Sequence, residues 1–114
     1  MQEIKAIIRT DRLPDVIEAL HRLANMPGVT VSTVRGFGRR APGVAAAVFD
    51  ESDFSKLEAV VDDDAVDSVI DAIARPARTG GPGDGKIFVT PVLQAIRIRD
   101  YGVQARADLG CECD

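Results

Sequence analysis

Residues 79–86 are TGGPGDGK, and the apolar run IFVT follows directly at 87–90. The four glycines in this stretch give no apolar side chain to bury, and they free the backbone to adopt positive φ or to approach a ligand closely. A glycine-rich turn that ends in lysine is typical of a phosphate cradle, in which backbone N–H groups and an ammonium face the anion. The stretch therefore predicts an anion-binding turn, and an ordinary flexible connection is the alternative.

The spacing from Gly80 to Lys86 also matches the first part of a Walker A loop. Two features argue against that motif. Ile87 stands where a Ser or Thr should bind Mg²⁺, and the β-branched and aromatic residues that follow predict a strand instead of a helix.

Upstream of the turn, the spacing of apolar residues predicts a strand over 56–61 and then a helix. The apolar stripe of this helix consists of Val66, Val69, Ile70 and Ile73. We expect the carboxylates of 62–64 to cap the helix and Pro76 to end it just after Arg75. Downstream, we expect a strand over 87–90 and a last short strand at Ile96–Arg99.

The first half of the chain shows the same succession of patterns. Alternation predicts a strand over residues 2–9, and a helix follows that Asp11 can cap and that holds Pro14 in its first turn. A second strand is predicted over 29–35. Residues 41–55 fit neither period and predict a long loop or a loosely formed hairpin, and we take the whole loop to span 40–55.

This order, β-α-β, loop, β-α-β, predicts an α+β domain of the ferredoxin-like βαββαβ type with a short extra C-terminal strand. The domain spans 1–99, and 100–114 form a polar tail. We expect both helices on one face of a four-stranded antiparallel sheet. The other face also carries apolar residues, Ile7 and Phe88 among them, so we expect other copies of the chain to cover it.

Composition limits the classes of function. The chain has 114 residues and a net charge of −4, which argues against a nucleic-acid binder driven by bulk electrostatics. No apolar run is long enough to cross a bilayer and the N-terminus does not resemble a signal peptide, so we expect a cytoplasmic protein without membrane insertion. The arginines nevertheless cluster, at 35–40 and at 97–99, which suggests a local anion site.

Four separated motifs resemble the PII signal-transduction proteins: GFGR at 36–39, KLEAVV at 56–61, TGGPGDGKIFV at 79–89 and IRIR at 96–99. The resemblance covers nearly all of 1–99. It implies a homotrimer of ferredoxin-like subunits with an adenine nucleotide, ATP, ADP or AMP, in each inter-subunit cleft. It also implies that the loop at 40–55 docks onto a target protein, such as a membrane transporter or an enzyme, and so regulates it.

The resemblance further implies which residues bind the nucleotide. They come from the second strand, the third strand, the glycine-rich turn and the C-terminal segment. They are Thr30, Gly36, Phe37, Gly38, Arg39, Val60, Thr79, Gly83, Asp84, Gly85, Lys86, Arg97 and Arg99. Arginine is suited to this task because its planar fork binds phosphate through two N–H groups at once.

The chain departs from the nitrogen-sensing members in its loop. A Gln that helps to bind Mg²⁺ and 2-oxoglutarate in those members is Arg40 here, and arginine has no acceptor for a metal. A Lys that pairs with the oxoacid is replaced by Phe54, and the loop lacks the Tyr that is uridylylated. We therefore expect a PII-like sensor that requires no metal, with Arg39 and Arg40 as a site for a second anion such as bicarbonate.

Three alternatives remain open from the sequence. The protein could be a nitrogen sensor that binds ATP or ADP with 2-oxoglutarate. It could be a metal- or redox-responsive relative that uses Cys111 and Cys113, although two thiolates are too few for a zinc site within one chain. An enzyme would need a general base, and Asp84 is the only carboxylate near the turn. We expect Asp84 to fold the turn and the protein not to be an enzyme.

Overall fold

The computed structural model describes residues 1–24, 26–39 and 49–102, without the side chains of 37–39 and 49–52. Six main elements follow one another: β1 (Gln2–Arg9), α1 (Leu13–His21), β2 (Thr30–Arg39), β3 (Phe49–Val61), α2 (Val66–Ala77) and β4 (Gly85–Pro91). Short 3-10 helices precede α1 at Thr10–Arg12 and α2 at Asp63–Ala65, and a third lies at Ile98–Asp100. Neither α1 nor α2 is long and apolar enough to cross a membrane.

The four strands form one antiparallel sheet in the order β2-β3-β1-β4. β1 lies in the middle, where Ile7 is opposite Lys56 of β3 and Lys86 of β4. This topology confirms the predicted α+β, ferredoxin-like arrangement. It also makes β2 and β4 the two edges of the sheet.

The core lies between one face of the sheet and the two helices. Alternate residues of β1, Ile4, Ala6 and Ile8, are buried there because a strand points successive side chains to opposite faces. The other buried apolar residues are Val16, Leu20, Leu57, Ala59, Val61, Val69, Ile73 and Ala77. Full burial of each large aliphatic side chain contributes about 1.5–3 kcal/mol.

Within residues 1–24, 26–39 and 49–102, no helix lies against the opposite face of the sheet, and we call this face the open face. Register assigns to it Thr30, Ser32, Val34 and Gly36 of β2, Phe54, Lys56, Glu58 and Val60 of β3, Glu3, Lys5, Ile7 and Arg9 of β1, and Lys86, Phe88 and Thr90 of β4. None of these residues is buried in the single chain, and Phe88 is 47% exposed.

The predicted helix caps are wrong. Asp11 lies within the first 3-10 helix, and Asp62 to Asp64 precede or form the second, so neither α-helix has a side-chain cap hydrogen bond. Asp63 instead accepts a hydrogen bond from the Met1 nitrogen at 2.5 Å. The 3-10 turn takes over the role of a cap, because its i→i+3 hydrogen bonds satisfy some of the backbone N–H groups that have no partner at the start of an α-helix.

Pro76 does not end α2 where the sequence predicted. The helix continues through it to Ala77, and the Arg78 N–H donates to the Ala74 carbonyl at 3.0 Å. A proline this close to the C-terminus removes only one helical hydrogen bond, so the last turn still forms.

The loop predicted over 40–55 is wrong for its second part. β3 begins at Phe49, and β2 and β3 pair continuously from Thr30↔Glu58 to Arg39↔Phe49. The hairpin alternative is therefore correct for 49–55, because pairing with β2 overrides the low strand propensity of this polar segment. Residues 40–48 lie outside the described residues.

The predicted C-terminal strand at Ile96–Arg99 is also wrong. Residues 98–100 form a 3-10 helix, and Ile98 is 91% exposed. The alternating pattern was typical of a strand. Arg97, however, bonds to Asp100 three residues later, a separation that favours a tight turn over an extended chain.

Candidate functional site

Asp84 holds the glycine-rich turn in shape. Its carboxylate accepts hydrogen bonds from the backbone N–H groups of Thr79 and Gly80, both at 2.8 Å, and from the Thr79 hydroxyl. Arg9 adds a fourth bond, from its Nε at 3.1 Å. The turn-folding role expected for Asp84 is thus confirmed.

These donors all stabilise the ionised form of Asp84. The Thr79 hydroxyl has the largest effect, the backbone N–H groups and Arg9 add to it, and the pKa of the carboxyl is held well below its usual range. Asp84 therefore carries its negative charge across the neutral pH range.

The same bonds correct part of the predicted phosphate cradle. The amides of Thr79 and Gly80 donate to Asp84, and the Gly81 amide donates to the Thr79 hydroxyl at 3.1 Å. These three N–H groups already have acceptors within the turn and are therefore not available to a ligand anion. The predicted cradle therefore does not include the N–H groups of residues 79–81.

Arg9 is a residue of the site that the sequence analysis missed. It ends β1, and its guanidinium lies beneath the turn: a Cβ on Gly83 would stand 3.0 Å from Arg9 Nη2, and one on Gly81 would stand 3.4 Å from it. Gly81 and Gly83 therefore leave the room that Arg9 occupies. The sequence did offer one signal for it. Arg9 is a cation at the end of β1, and β1 pairs with β4, the strand that follows the turn.

Gly85 joins the turn to β4 in a position that only glycine fits. Its φ is +97°, and a Cβ there would stand 1.8 Å from the Ile7 carbonyl oxygen. Gly80 also has positive φ, +90°, but open space surrounds it. Glycine is thus needed at 85 for both conformation and close approach, and at 80 for conformation alone.

Behind the turn, a cavity of about 270 Å³ lies between the end of α2 and the start of β4. Its lining includes the side chains of Ile8, Ile73, Ala77 and Ile87. Arg78 and Lys86 line it as well, so both apolar and cationic groups border this cavity.

The remaining predicted residues lie on the open face, toward its two edges. Thr30 and Gly36 are on β2, Val60 is on β3 and Lys86 is on β4. Three inter-strand spacings separate β2 from β4, about 14 Å. One chain therefore does not bring Lys86 together with Thr30 or Gly36.

β2 and β3 pair beyond the end of β1, and we call this two-stranded part the β2–β3 ribbon. Phe54 lies at its base, where β3 makes its last pair with β1, Arg9↔Phe54. A Cβ on Gly36 would stand 2.8 Å from the Phe54 ring, so the absence of a side chain at Gly36 leaves room for the ring to approach β2 closely. The residue that replaces the family's lysine is thus an apolar group packed beside a predicted nucleotide-binding glycine.

Arg97 and Arg99 follow β4 and share one carboxylate. Arg97 Nε donates to Asp100 Oδ2 at 2.9 Å, and Arg97 Nη2 forms an ion pair with the same oxygen at 2.8 Å, while Arg99 Nε lies 3.9 Å from Asp100 Oδ1. The side chains of Arg97 and Asp100 are 21% and 27% exposed, whereas that of Arg99 is 64% exposed.

Several predicted residues lie outside what the structure describes. These are Arg40, Cys111 and Cys113, together with the side chains of Phe37 and Arg39, whose backbones belong to β2. Within the described part of the chain, no group of three or more His, Cys, Asp or Glu residues is placed to hold a metal ion.

Comparison with known proteins gives a consistent result. The family model described as "Nitrogen regulatory protein P-II" matches residues 1–101. Proteins of that name from Nostoc punctiforme and Azospirillum brasilense are 46% and 43% identical over 106 and 104 residues. "Nitrogen regulatory protein P-II 1" from Escherichia coli is 45% identical over 104 residues. Each of these matches covers 87% of this chain and 92% of the relative.

Proposed function

The chain belongs to the nitrogen regulatory protein P-II family, and we propose that it senses adenine nucleotides, ATP, ADP or AMP, in clefts between the subunits of a homotrimer. In this proposal the protein is a regulator and not an enzyme. Nucleotide occupancy controls how the segment between β2 and β3 docks onto a target protein, such as a membrane transporter.

The observation that carries this proposal is the division of the predicted site between the two edges of the open face. Lys86 and the turn ordered by Asp84 lie at the β4 edge, whereas Thr30 and Gly36 lie at the β2 edge. If the β4 edge of one chain meets the β2 edge of a second chain, the two groups of predicted nucleotide-binding residues come together. A binding cleft between subunits requires such a contact. The open face then also becomes the buried interface of the trimer.

We further propose that Arg39 and Arg40 hold a small second anion such as bicarbonate. Two adjacent arginines supply the charge, and Phe54 beside Gly36 offers no cation for the carboxylate of an oxoacid. A nitrogen-sensing role with 2-oxoglutarate is the second candidate, because relatives at 43–46% identity are named nitrogen regulatory proteins.

Calorimetric titration with ATP, ADP and AMP, each with and without bicarbonate or 2-oxoglutarate, tests these proposals together. We expect nucleotide binding that bicarbonate strengthens and 2-oxoglutarate leaves unchanged. Strengthening by 2-oxoglutarate in the presence of Mg²⁺ would favour the nitrogen-sensing role. If no nucleotide binds, the proposed function is wrong.

Lys86→Ala is expected to weaken ATP binding by at least about 100-fold, since the variant loses a point charge at the phosphates. The oligomeric state should not change. Arg22→Ala is the matched control: it also removes one positive charge, but at an exposed position just after α1. Equal affinities of the two variants for ATP would show that Lys86 does not contact the nucleotide.

Phe88→Asp is expected to dissociate the trimer, because it replaces a 47% exposed aromatic side chain of the open face with a charge that assembly would have to bury. Sedimentation analysis should find three times the chain mass of 12.2 kDa for the unsubstituted protein and a smaller species for the variant. An unsubstituted protein that sediments as a monomer at micromolar concentration would contradict the proposed assembly.

A further inference from the structure

The carboxylate of Asp100 lies between the two arginines that the proposed function assigns to the phosphates. Its Oδ2 accepts a hydrogen bond from Arg97 Nε at 2.9 Å and lies 2.8 Å from Arg97 Nη2, and its Oδ1 lies 3.9 Å from Arg99 Nε. The 3-10 helix fixes this arrangement through the backbone bond from the Asp100 N–H to the Arg97 carbonyl at 3.1 Å.

The Nε and Nη2 atoms form one of the edges with which a guanidinium binds phosphate or carboxylate. In this chain, the Asp100 carboxylate engages that edge of Arg97. Because Asp100 is only three residues away, it acts at the high effective concentration of an intramolecular partner. Its side chain is largely shielded from water, 27% exposed, so solvent weakens the attraction less than in a fully exposed pair.

We propose, on the basis of the proposed function, that Asp100 is an internal competitor that lowers the affinity of the site for phosphorylated ligands. A ligand phosphate that binds this edge of Arg97 must first displace the Asp100 carboxylate. The displacement lowers the affinity of every ligand that reaches Arg97 by a common factor. A ligand without a phosphate does not displace Asp100 and keeps its affinity.

A purely structural role makes the opposite prediction. If Asp100 served to hold Arg97 in the orientation that binds phosphate, its removal would weaken nucleotide binding. The sign of the change in affinity therefore distinguishes a competitor from a positioning residue.

Asp100→Asn tests the proposal because it removes the charge and leaves the backbone hydrogen bond of the turn intact. We expect ATP to bind roughly 3- to 10-fold more tightly, the range for loss of a partly shielded ion pair. Adenosine affinity should not change. Asp71→Asn is the matched control, since Asp71 also pairs with an arginine, Arg75 at 2.7 Å, but on the exposed face of α2. It should leave ATP affinity within about twofold of the unsubstituted protein.

A double-mutant cycle shows whether Asp100 acts through Arg97. In an Arg97→Ala background, Asp100→Asn should change ATP affinity by less than about twofold. A full gain in that background would show that Asp100 repels the nucleotide by charge alone and would overturn the proposal.

The remaining outcomes separate this inference from the function on which it rests. ATP binding that Asp100→Asn leaves unchanged or weakens would overturn the role of Asp100 and leave the proposed function intact. An unsubstituted protein that does not bind nucleotide at all would overturn both.

Discussion

Gly85→Ala is expected to lower the free energy of unfolding by about 3–5 kcal/mol, the upper range for a single substitution. The added Cβ would stand 1.8 Å from the Ile7 carbonyl oxygen, and the backbone would have to keep a φ of +97°. Relief of this overlap requires β4 to move away from β1, the strand at the centre of the sheet. Denaturant unfolding at one fixed protein concentration measures the effect, since assembly contributes to stability.

Gly80→Ala separates the two causes of this loss. Gly80 has nearly the same φ, +90°, but no atom lies within 4 Å of the position of its Cβ. Only the backbone conformation is unfavourable there, at a cost of about 1–2 kcal/mol. If Gly85→Ala costs no more than Gly80→Ala, the close approach between β1 and β4 is not what constrains Gly85.

Asp84→Ala is expected to abolish measurable nucleotide binding, with a loss of at least about 100-fold, although Asp84 itself would repel a phosphate. The carboxylate holds four donors of the turn and of Arg9, and without it the turn loses the shape that precedes Lys86. Asp84→Asn should lose less, because an amide oxygen can still accept some of these bonds. Asp71→Asn controls for the change in net charge, and an Asp84→Ala variant with unchanged ATP affinity would contradict the role of the turn.

The pH dependence of stability offers a second measurement on Asp84. Its folded-state pKa is depressed below the ordinary value of 3.8, so its contribution to stability is fully present above that value. The contribution is lost as the pH falls below 3.8 toward the folded-state pKa. Denaturation midpoints of the unsubstituted protein and of Asp84→Ala should therefore converge as the pH falls, whereas a constant difference would mean that the ionised form is not what stabilises the turn.

The fold was predictable where a local pattern and tertiary packing agree. Alternation predicted β1, in which Ile4, Ala6 and Ile8 are buried, and the three-and-four spacing predicted the stripe of α2, of which Val69 and Ile73 are buried. The pattern of apolar residues failed to predict the conformation of 49–55, where pairing with β2 decides it. It also failed at 96–99, where the ion pair of Arg97 with Asp100 favours a turn. Asp50 to Asp53 are strand residues only because β2 lies beside them, and Ile96 to Arg99 have no strand beside them in the chain's own sheet.

The turn was predictable to a similar extent. The sequence identified Asp84 as a folding residue because it lies among glycines with their N–H groups close at hand. It did not identify Arg9, because the contact joins residues 75 positions apart and depends on the register of β1 against β4. It also assigned the backbone amides of the whole turn to a ligand, since composition does not show that Asp84 and Thr79 already accept those of 79–81.

The β2–β3 ribbon has a mechanical consequence. β1 supports it as far as the pair Arg9↔Phe54, and five further pairs, from Arg35↔Asp53 to Arg39↔Phe49, extend past that point. At about 3.3 Å per residue, this two-stranded extension is about 16 Å long, and it leaves the sheet beside Gly36 and Phe54. A bend of about 10° at this point would move the far end of the extension, at Arg39 and Phe49, by about 3 Å. A sub-ångström shift of the backbone at the base of the ribbon therefore moves its far end by a distance comparable to the length of a hydrogen bond.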